Sequence, residues 1–263
     1  MEVSLVTKQK ARSILHVSGA TKEYVNSLRR YFMDHTPILA VETVKFQNNT
    51  SVQYDEMIAH RIGLMPLTTD LSTYVLKRRC KCGGVGCAQC TVQLSLQVKG
   101  PKTVYAEDFK TTDPKVKPVY PKMILAKLFD GQEISLVATA SVGQGVDHAK
   151  WSAGHAWFRH TPHIKIKNHS QACAKVCPTG AIKFSQGKLT VPNNGVDCTL
   201  CNACIDVDGG ESVEITTKEN DYLLFIEPWG QLDMQDYLKA TMEEFDQDLD
   251  ELGKLVKDEK SKK

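Results

Sequence analysis

Nine cysteines in 263 residues fall into two spaced groups, and their spacing is where chemistry can begin. Cys198, Cys201 and Cys204 follow C-x2-C-x2-C, and Cys177, upstream, is followed directly by Pro178. Three closely spaced thiolates with one remote Cys-Pro form the ligand set of one cubane iron–sulfur cluster. The reason is geometric. A short loop can aim three sulfurs at three corners of a cube, whereas the fourth corner faces away and needs a ligand from elsewhere in the fold. The expected group is 4Fe–4S, with 3Fe–4S as the form left if one ligand binds weakly. Four thiolates could also cage a zinc ion, but zinc ribbons usually pair two C-x2-C units.

The surrounding segment reads as a two-cluster ferredoxin whose second site has lost three of its four ligands. A two-cluster ferredoxin repeats the pattern, each fourth cysteine serving the other cluster. Counted from Cys177 and Cys204, the second site would need cysteines at 167, 170, 173 and 208; the chain has Lys167, Ser170, Cys173 and Asp208. One site is complete. Cys173 is left over, either as a buried thiol or as a redox partner for a cluster cysteine once metal is lost.

Cys80, Cys82, Cys87 and Cys90 form C-x-C-x4-C-x2-C, with Gly83, Gly84 and Gly86 inside the loop. A chain folding back around one ion needs residues that tolerate positive φ. Four thiolates leave no open coordination position, so the pattern predicts a structural zinc knuckle. The alternative is four reduced thiols in a loop without metal. Lys77, Arg78, Arg79 and Lys81 are expected to offset the thiolate charge. A nucleic-acid contact by the same residues is the weaker reading, because no aromatic residues are interleaved for stacking.

The length allows one large or two modest domains, and 41% hydrophobic with 24% charged residues is ordinary for a globular protein. A formal net charge of +2 gives no global reason to bind nucleic acid or an anionic membrane. No apolar run reaches bilayer-spanning length, and residues 1–10 carry no apolar signal core. Cysteines clustered at metal-ligand spacing in such a chain point to a reducing compartment, the cytoplasm, or a nucleus if the source has one.

The elements that must position these sites follow from periodicity. Residues 3–6 and 12–17 read as a strand pair, and Thr21 precedes a helix with Val25, Leu28 and Phe32 on one face, ended by Pro37. Residues 38–46 read as a strand, 51–61 as a helix, 91–99 as a half-buried strand, and 134–142 as another. Residues 100–122 read as loop with one short strand, and 212–217 and 222–227 as strands. In the last element, Leu238, Met242, Phe245, Leu249, Leu252 and Val256 recur at steps of 4, 3, 4, 3 and 4. That is the seam of knobs-into-holes packing against another helix, though a helix docked on its own sheet remains the alternative. The acids between seam residues predict a solvated or basic-facing outer surface. Residues 257–263 read as a charged, frayed tail.

No catalytic constellation appears: no phosphate loop, no nucleophile elbow, no H-E-x-x-H helix. His155, His160, His163 and His169 crowd one stretch, but their steps of 5, 3 and 6 fit no common ligand frame. Two closed metal sites without a reactive group suit a scaffold or binding subunit.

Several segments resemble one family. Tyr24-Val-Asn-Ser-Leu-Arg-Arg-Tyr, Thr36-Pro37-Ile38-Leu39-Ala40-Val41-Glu42, Tyr54-Asp55-Glu56 and Ala59-His60-Arg61-Ile62-Gly63-Leu64-Met65-Pro66 are similar to the N-terminal signature of the α-like assembly subunits of DNA-dependent RNA polymerase. His148-Ala149-Lys150-Trp151 and Phe225-Ile226-Glu227 leading to Gly230 fit the same family. The knuckle resembles that of the eukaryotic third subunit, and the ferredoxin-like insert resembles that of the archaeal branch of the family. The resemblance implies an α+β fold. A discontinuous α-subunit-like dimerisation domain (1–42 with 150–167 and 211–263) would carry an inserted, mainly-β domain with the zinc knuckle (43–149) and a small ferredoxin-like iron–sulfur domain (168–210). It implies pairing with a small subunit, L, through the helix bearing Val25, Leu28 and Phe32 and through the C-terminal seam. It also implies binding to subunits N and P and assembly on the large catalytic subunits, with DNA reached only indirectly and no membrane involved. Polymerisation chemistry would lie on those large subunits. The competing expectations are a ferredoxin-like electron-transfer protein or oxidoreductase subunit, and a zinc-dependent nucleic-acid module.

Overall fold

The computed structural model describes residues 1–9 and 12–260, so the end of the charged tail, 261–263, lies outside the described residues. In chain order the first elements are β1 (Glu2–Lys8), β2 (Ser13–Ser18), α1 (Lys22–Arg30), β3 (Ile38–Asn49), α2 (Asp55–Gly63), β4 (Thr91–Lys99) and β5 (Lys102–Tyr105). Then come β6 (Lys110–Thr111), β7 (Ile124–Leu128), β8 (Glu133–Gly143), β9 (Gly154–His160), β10 (His163–Ile166), α3 (Gln171–Val176) and β11 (Lys183–Ser185). β12 (Lys188–Thr190), α4 (Ala203–Asp206), β13 (Val213–Thr216), β14 (Asp221–Pro228) and α5 (Met234–Lys260) complete an α+β chain. Among the described residues no helix is long and apolar enough to cross a membrane. Two compact units emerge, Met1–Asn26 with Trp157–Phe225 and Ser27–Ala156 with Ile226–Lys263. The chain passes between them inside α1, β9 and β14.

In the second unit, β3, β8, β4 and β6 form an antiparallel sheet in that order. β4 alternates as its sequence predicts. Val92, Leu94, Leu96 and Val98 are buried opposite Ala140, Ala138, Leu136 and Ile134 of β8, while the residues between them face out. Each such side chain contributes about 1.5–3 kcal/mol by leaving water. α2 closes this core with Ile58 and Ile62, followed by Met65 and Leu67. The helix starts at Asp55, later than the expected 51. The Asn49 side chain accepts from Ser51 N–H at 3.0 Å and donates to Gln53 O at 2.9 Å, holding the intervening residues in a turn. β7, unmarked in the sequence, pairs with β5.

In the first unit, β1 and β2 pair antiparallel in a sheet ordered β1-β2-β14-β9. Ile14, Val196, Leu223 and Phe225 form one small core, with Trp157 stacked on Phe225 at 5.0 Å. Cys173, Ile182, Leu189, Cys204 and Val213 form another, where β10 pairs with β13 and β11 with β12.

Candidate metal centres

A short 3-10 turn, Lys77–Arg79, delivers the chain into the knuckle, and β4 leaves it at Thr91. The backbone at Gly84 and Gly86 takes φ of +83° and +103°, which side-chain-bearing residues rarely adopt. That folding-back brings the four sulfurs together. Cys80–Cys82 is 3.4 Å, Cys80–Cys87 3.5 Å, Cys82–Cys90 3.7 Å and Cys87–Cys90 3.9 Å. A tetrahedron of thiolates ~2.3 Å from one zinc ion has edges of ~3.8 Å, so the spacing matches a single ion. All four sulfurs lie within 4.8 Å of one another, and this group could hold a metal ion. Amides turned inward at Gly86, with the Cys80 thiol beside it, bring the Cys82 thiol down to about 6, so it ionises readily for a metal. Three of the basic residues also have partners outside the knuckle. Lys77 Nζ pairs with Glu42 at 3.1 Å, Arg78 Nη2 donates to Gln144 Oε1 at 2.6 Å, and Arg79 Nη1 reaches the buried Glu244 carboxylate at 2.5 Å. Three of the four cations thus tie the knuckle to neighbouring elements.

Cys177 follows α3, Cys198 and Cys201 lie on the loop entering α4, and Cys204 is in the first turn of that helix. All four line one cavity with Thr179, Ile182 and Ile215. Among the described residues, the knuckle is the one group of three or more such donors within 4.8 Å of one another, so these four thiols stand further apart than single-ion ligands. Two side-chain-bearing residues of the loop, Leu200 and Asn202, sit at φ of 58° and 60°. Such conformations cost about 1–3 kcal/mol each and persist where the surroundings enforce them. Burial works against ionisation of Cys177, but amides of Ile182, Thr179 and Ala181 outweigh it and lower its pKa. Burial raises Cys198, opposed by the Leu200 amide and the positive charge of Arg159. Cys204 is pushed up to about 11, by burial first and then by the neighbouring Cys198. Inward amides and a nearby cation suit a bound anionic body larger than one ion.

The degenerate second set is also legible. Cys173 is fully buried and its thiol donates to Cys204 O and Asp208 Oδ2, both at 3.3 Å. Burial and then Asp208 raise the Cys173 pKa, and the Ser170 hydroxyl reaches the same sulfur. Cys173 thus bonds to Asp208 with Ser170 beside it, while Lys167 pairs with Glu214 at 3.2 Å. Of the crowded histidines, His163 and the distant His16 converge on Asp221, at 3.2 and 2.6 Å, an arrangement of charge and hydrogen bonds within the fold.

The RNA polymerase Rpb3/RpoA insert-domain family matches residues 44–156, which carry the knuckle. The chain is 35% identical to DNA-directed RNA polymerase subunit Rpo3 of Methanosarcina mazei, covering 90% of this chain and 91% of that protein. It is 31% identical to the subunit of Methanosphaera stadtmanae over 98% of this chain and 100% of that one, and 35% identical to that of Pyrobaculum calidifontis over 90% of each. The chain belongs to the Rpo3 family of DNA-directed RNA polymerase subunits. Its family-like segments meet in space. Val41 and Glu42, Ala59 and His60, Gly63 and Leu64, and His148 with Lys150 line one groove.

The terminal helix of this Rpo3-family chain has two faces. Tyr237, Ala240, Thr241 and Glu244 are buried against their own unit. Tyr237 O–H donates to Phe32 O at 2.5 Å, Thr241 Oγ1 meets Thr36 Oγ1 at 2.7 Å, and Glu244 accepts from Gln144 at 3.0 Å. Sequence periodicity missed this face because it mixes an aromatic, a small residue, a hydroxyl and an acid. The seam lies beside it. Leu238, Met242 and Phe245 are half-buried, Phe245 edge-on to Tyr31 at 4.6 Å, and Leu249, Leu252 and Val256 are 51%, 57% and 48% exposed. Val25, Leu28 and Phe32 are buried within the chain, at 0%, 7% and 1% exposed. α5 continues to Lys260, so the first part of the expected tail is helical.

Proposed function

We propose that this chain is a non-catalytic assembly subunit of the polymerase, pairing with a small subunit of the L type through the outer face of α5. The single observation that carries the reading is the row Leu249, Leu252 and Val256, left in water on a helix whose own-chain face is already satisfied by Tyr237, Thr241 and Glu244. Burying such leucines against a partner helix is worth about 1.5–3 kcal/mol each. Val25, Leu28 and Phe32, turned inward, would serve the pairing indirectly, by fixing the backbone from which Tyr31 meets Phe245.

Subunits N and P and the large catalytic subunits would then gather on the pair, in the cytoplasm, and nucleotide chemistry would occur on the large subunits. The dimerisation domain would comprise 1–42, 150–167 and 211–263, with the insert domain at 43–149 and the iron–sulfur domain at 168–210. Cys80, Cys82, Cys87 and Cys90 would hold zinc; their near-tetrahedral sulfur spacing supports this. Cys177, Cys198, Cys201 and Cys204 would hold a 4Fe–4S cluster, or 3Fe–4S if one ligand is lost, supported by the shared cavity and wider spacing. Both groups supply folding free energy when bound.

Co-expression with the small subunit tests the pairing. The wild-type chain is expected to elute as a heterodimer on a sizing column. Leu249→Asp with Leu252→Asp should elute alone with an unchanged circular dichroism spectrum. A heterodimer that survives this double substitution refutes the assignment.

A further inference from the structure

The side chain of Arg159 is unusual among the cations of the first unit. It rises from β9 and is only partly exposed. One nitrogen, Nη2, donates to the carbonyl of Val196, two residues before Cys198. The guanidinium carbon lies 4.8 Å over the Phe225 ring, which fixes the plane of the group. Its Nε is buried and has no hydrogen-bond partner within the protein. A buried guanidinium N–H without an acceptor costs more than a neutral one, because the group stays charged. Its electrostatic neighbours are Cys198 and Asp197, which favour it, and Arg12, which opposes it.

We propose that Arg159 is the fixed counter-charge of the iron–sulfur cluster, held near the Cys198 corner by its bond to the Val196 carbonyl. This rests on the reading that Cys177, Cys198, Cys201 and Cys204 hold such a cluster. The physical argument is one of charge. Four thiolates outweigh the positive iron–sulfur core, and one-electron reduction adds a further negative charge. A cation immobilised by Phe225 and the Val196 carbonyl favours the reduced form more than the oxidised one. Net charge and hydrogen bonds to sulfur are the levers by which a protein sets the potential of such a cluster. Arg159 is therefore a positioning residue, not a ligand.

The test is protein-film voltammetry on the anaerobically purified full chain, with iron and sulfide quantified beforehand. In Arg159→Gln the potential should fall by about 59 mV, a tenfold loss in the one-electron reduction constant. Arg159→Lys, which keeps the charge but loses the planar fork, should recover most of that shift. A change below about 18 mV, or twofold, in a cluster-loaded Arg159→Gln protein overturns the role of Arg159 and leaves the cluster reading standing. Zinc in place of iron and sulfide in the wild-type chain overturns both. Should Arg159→Gln fail to fold, pulsed EPR of reduced wild-type protein labelled with ¹⁵N-arginine decides. A ¹⁵N coupling to the cluster spin is expected, and its absence refutes the proposal.

Discussion

The knuckle and the ferredoxin-like segment each offer four cysteines, but the chain assembles them differently. The knuckle's sulfurs come from one loop, Cys80 to Cys90, and glycine backbone conformations bring them to 3.4–3.9 Å. The other set joins Cys177 to a distant loop, and a five-residue buried core that includes Cys204 itself does the joining. The knuckle borders a core of many side chains in β3, β4, β8 and α2. Loss of metal should therefore reach different distances. In the small core it removes a large share of what holds the segment together, whereas beside the large core it frees a loop whose basic residues are anchored elsewhere.

The largest expected effect is on the ferredoxin-like segment. Cys198→Ser should abolish the brown chromophore and raise amide exchange across 168–210 by at least about a hundredfold, while the heterodimer with the small subunit still forms. Loss of the heterodimer would contradict the separation of the two regions. Removing zinc by Cys82→Ser should raise exchange mainly in 77–91. A smaller effect should reach α5 through Arg79, because that side chain binds Glu244, itself 5% exposed. Breaking this pair from one side with Arg79→Gln strands a buried carboxylate and should cost about 3 kcal/mol in urea unfolding. It should also weaken the heterodimer with zinc still bound. An unchanged midpoint would mean that the knuckle's basic residues are incidental. Phe245→Asp should likewise break the heterodimer with both metal contents intact. Because Phe245 also packs on Tyr31 at 4.6 Å, its effect on monomer stability should exceed that of Leu252→Asp.

Much of this was readable from residues alone, for physical reasons. β4 and β8 were legible because a sheet with one buried face writes period-two alternation into its sequence. The knuckle was legible because its ligands are local. The second ligand set is legible only as a count: Ser170, Cys173 and Asp208 read as positions in a broken pattern, and only the fold reveals that the Cys173 thiol bonds to Asp208. β7 went unread because its five residues are too short for a clear period. The contact of Arg79 with Glu244 is not legible in the sequence, because a polar contact between residues 165 positions apart has no periodic signature. The inner face of α5 escaped for the same reason, since hydroxyl and carboxylate partners bury it as firmly as leucines would.

The smallest effect sharpens the contrast from the side of the first unit, where polar contacts supplement a modest core. Asp221 accepts from Thr161 Oγ1 at 2.7 Å and from the rings of His16 and His163. Burial disfavours its charge, but Thr161 and then the histidines outweigh burial, and its pKa lies below the usual 3.8. A carboxylate lowered in the folded state adds stability above its unfolded pKa, and that stability disappears as pH falls through the folded value. The first unit should accordingly lose this contribution below about pH 4, with no change between pH 5 and 8 from Asp221 itself. Asp221→Asn should remove about 1 kcal/mol at neutral pH and flatten the acid limb of the stability curve. Amide exchange in β2 and β14, followed from pH 6 down to pH 3, reads that limb directly. An Asn variant with the wild-type acid profile would show that the carboxylate is a bystander and that the small apolar cores hold this unit unaided.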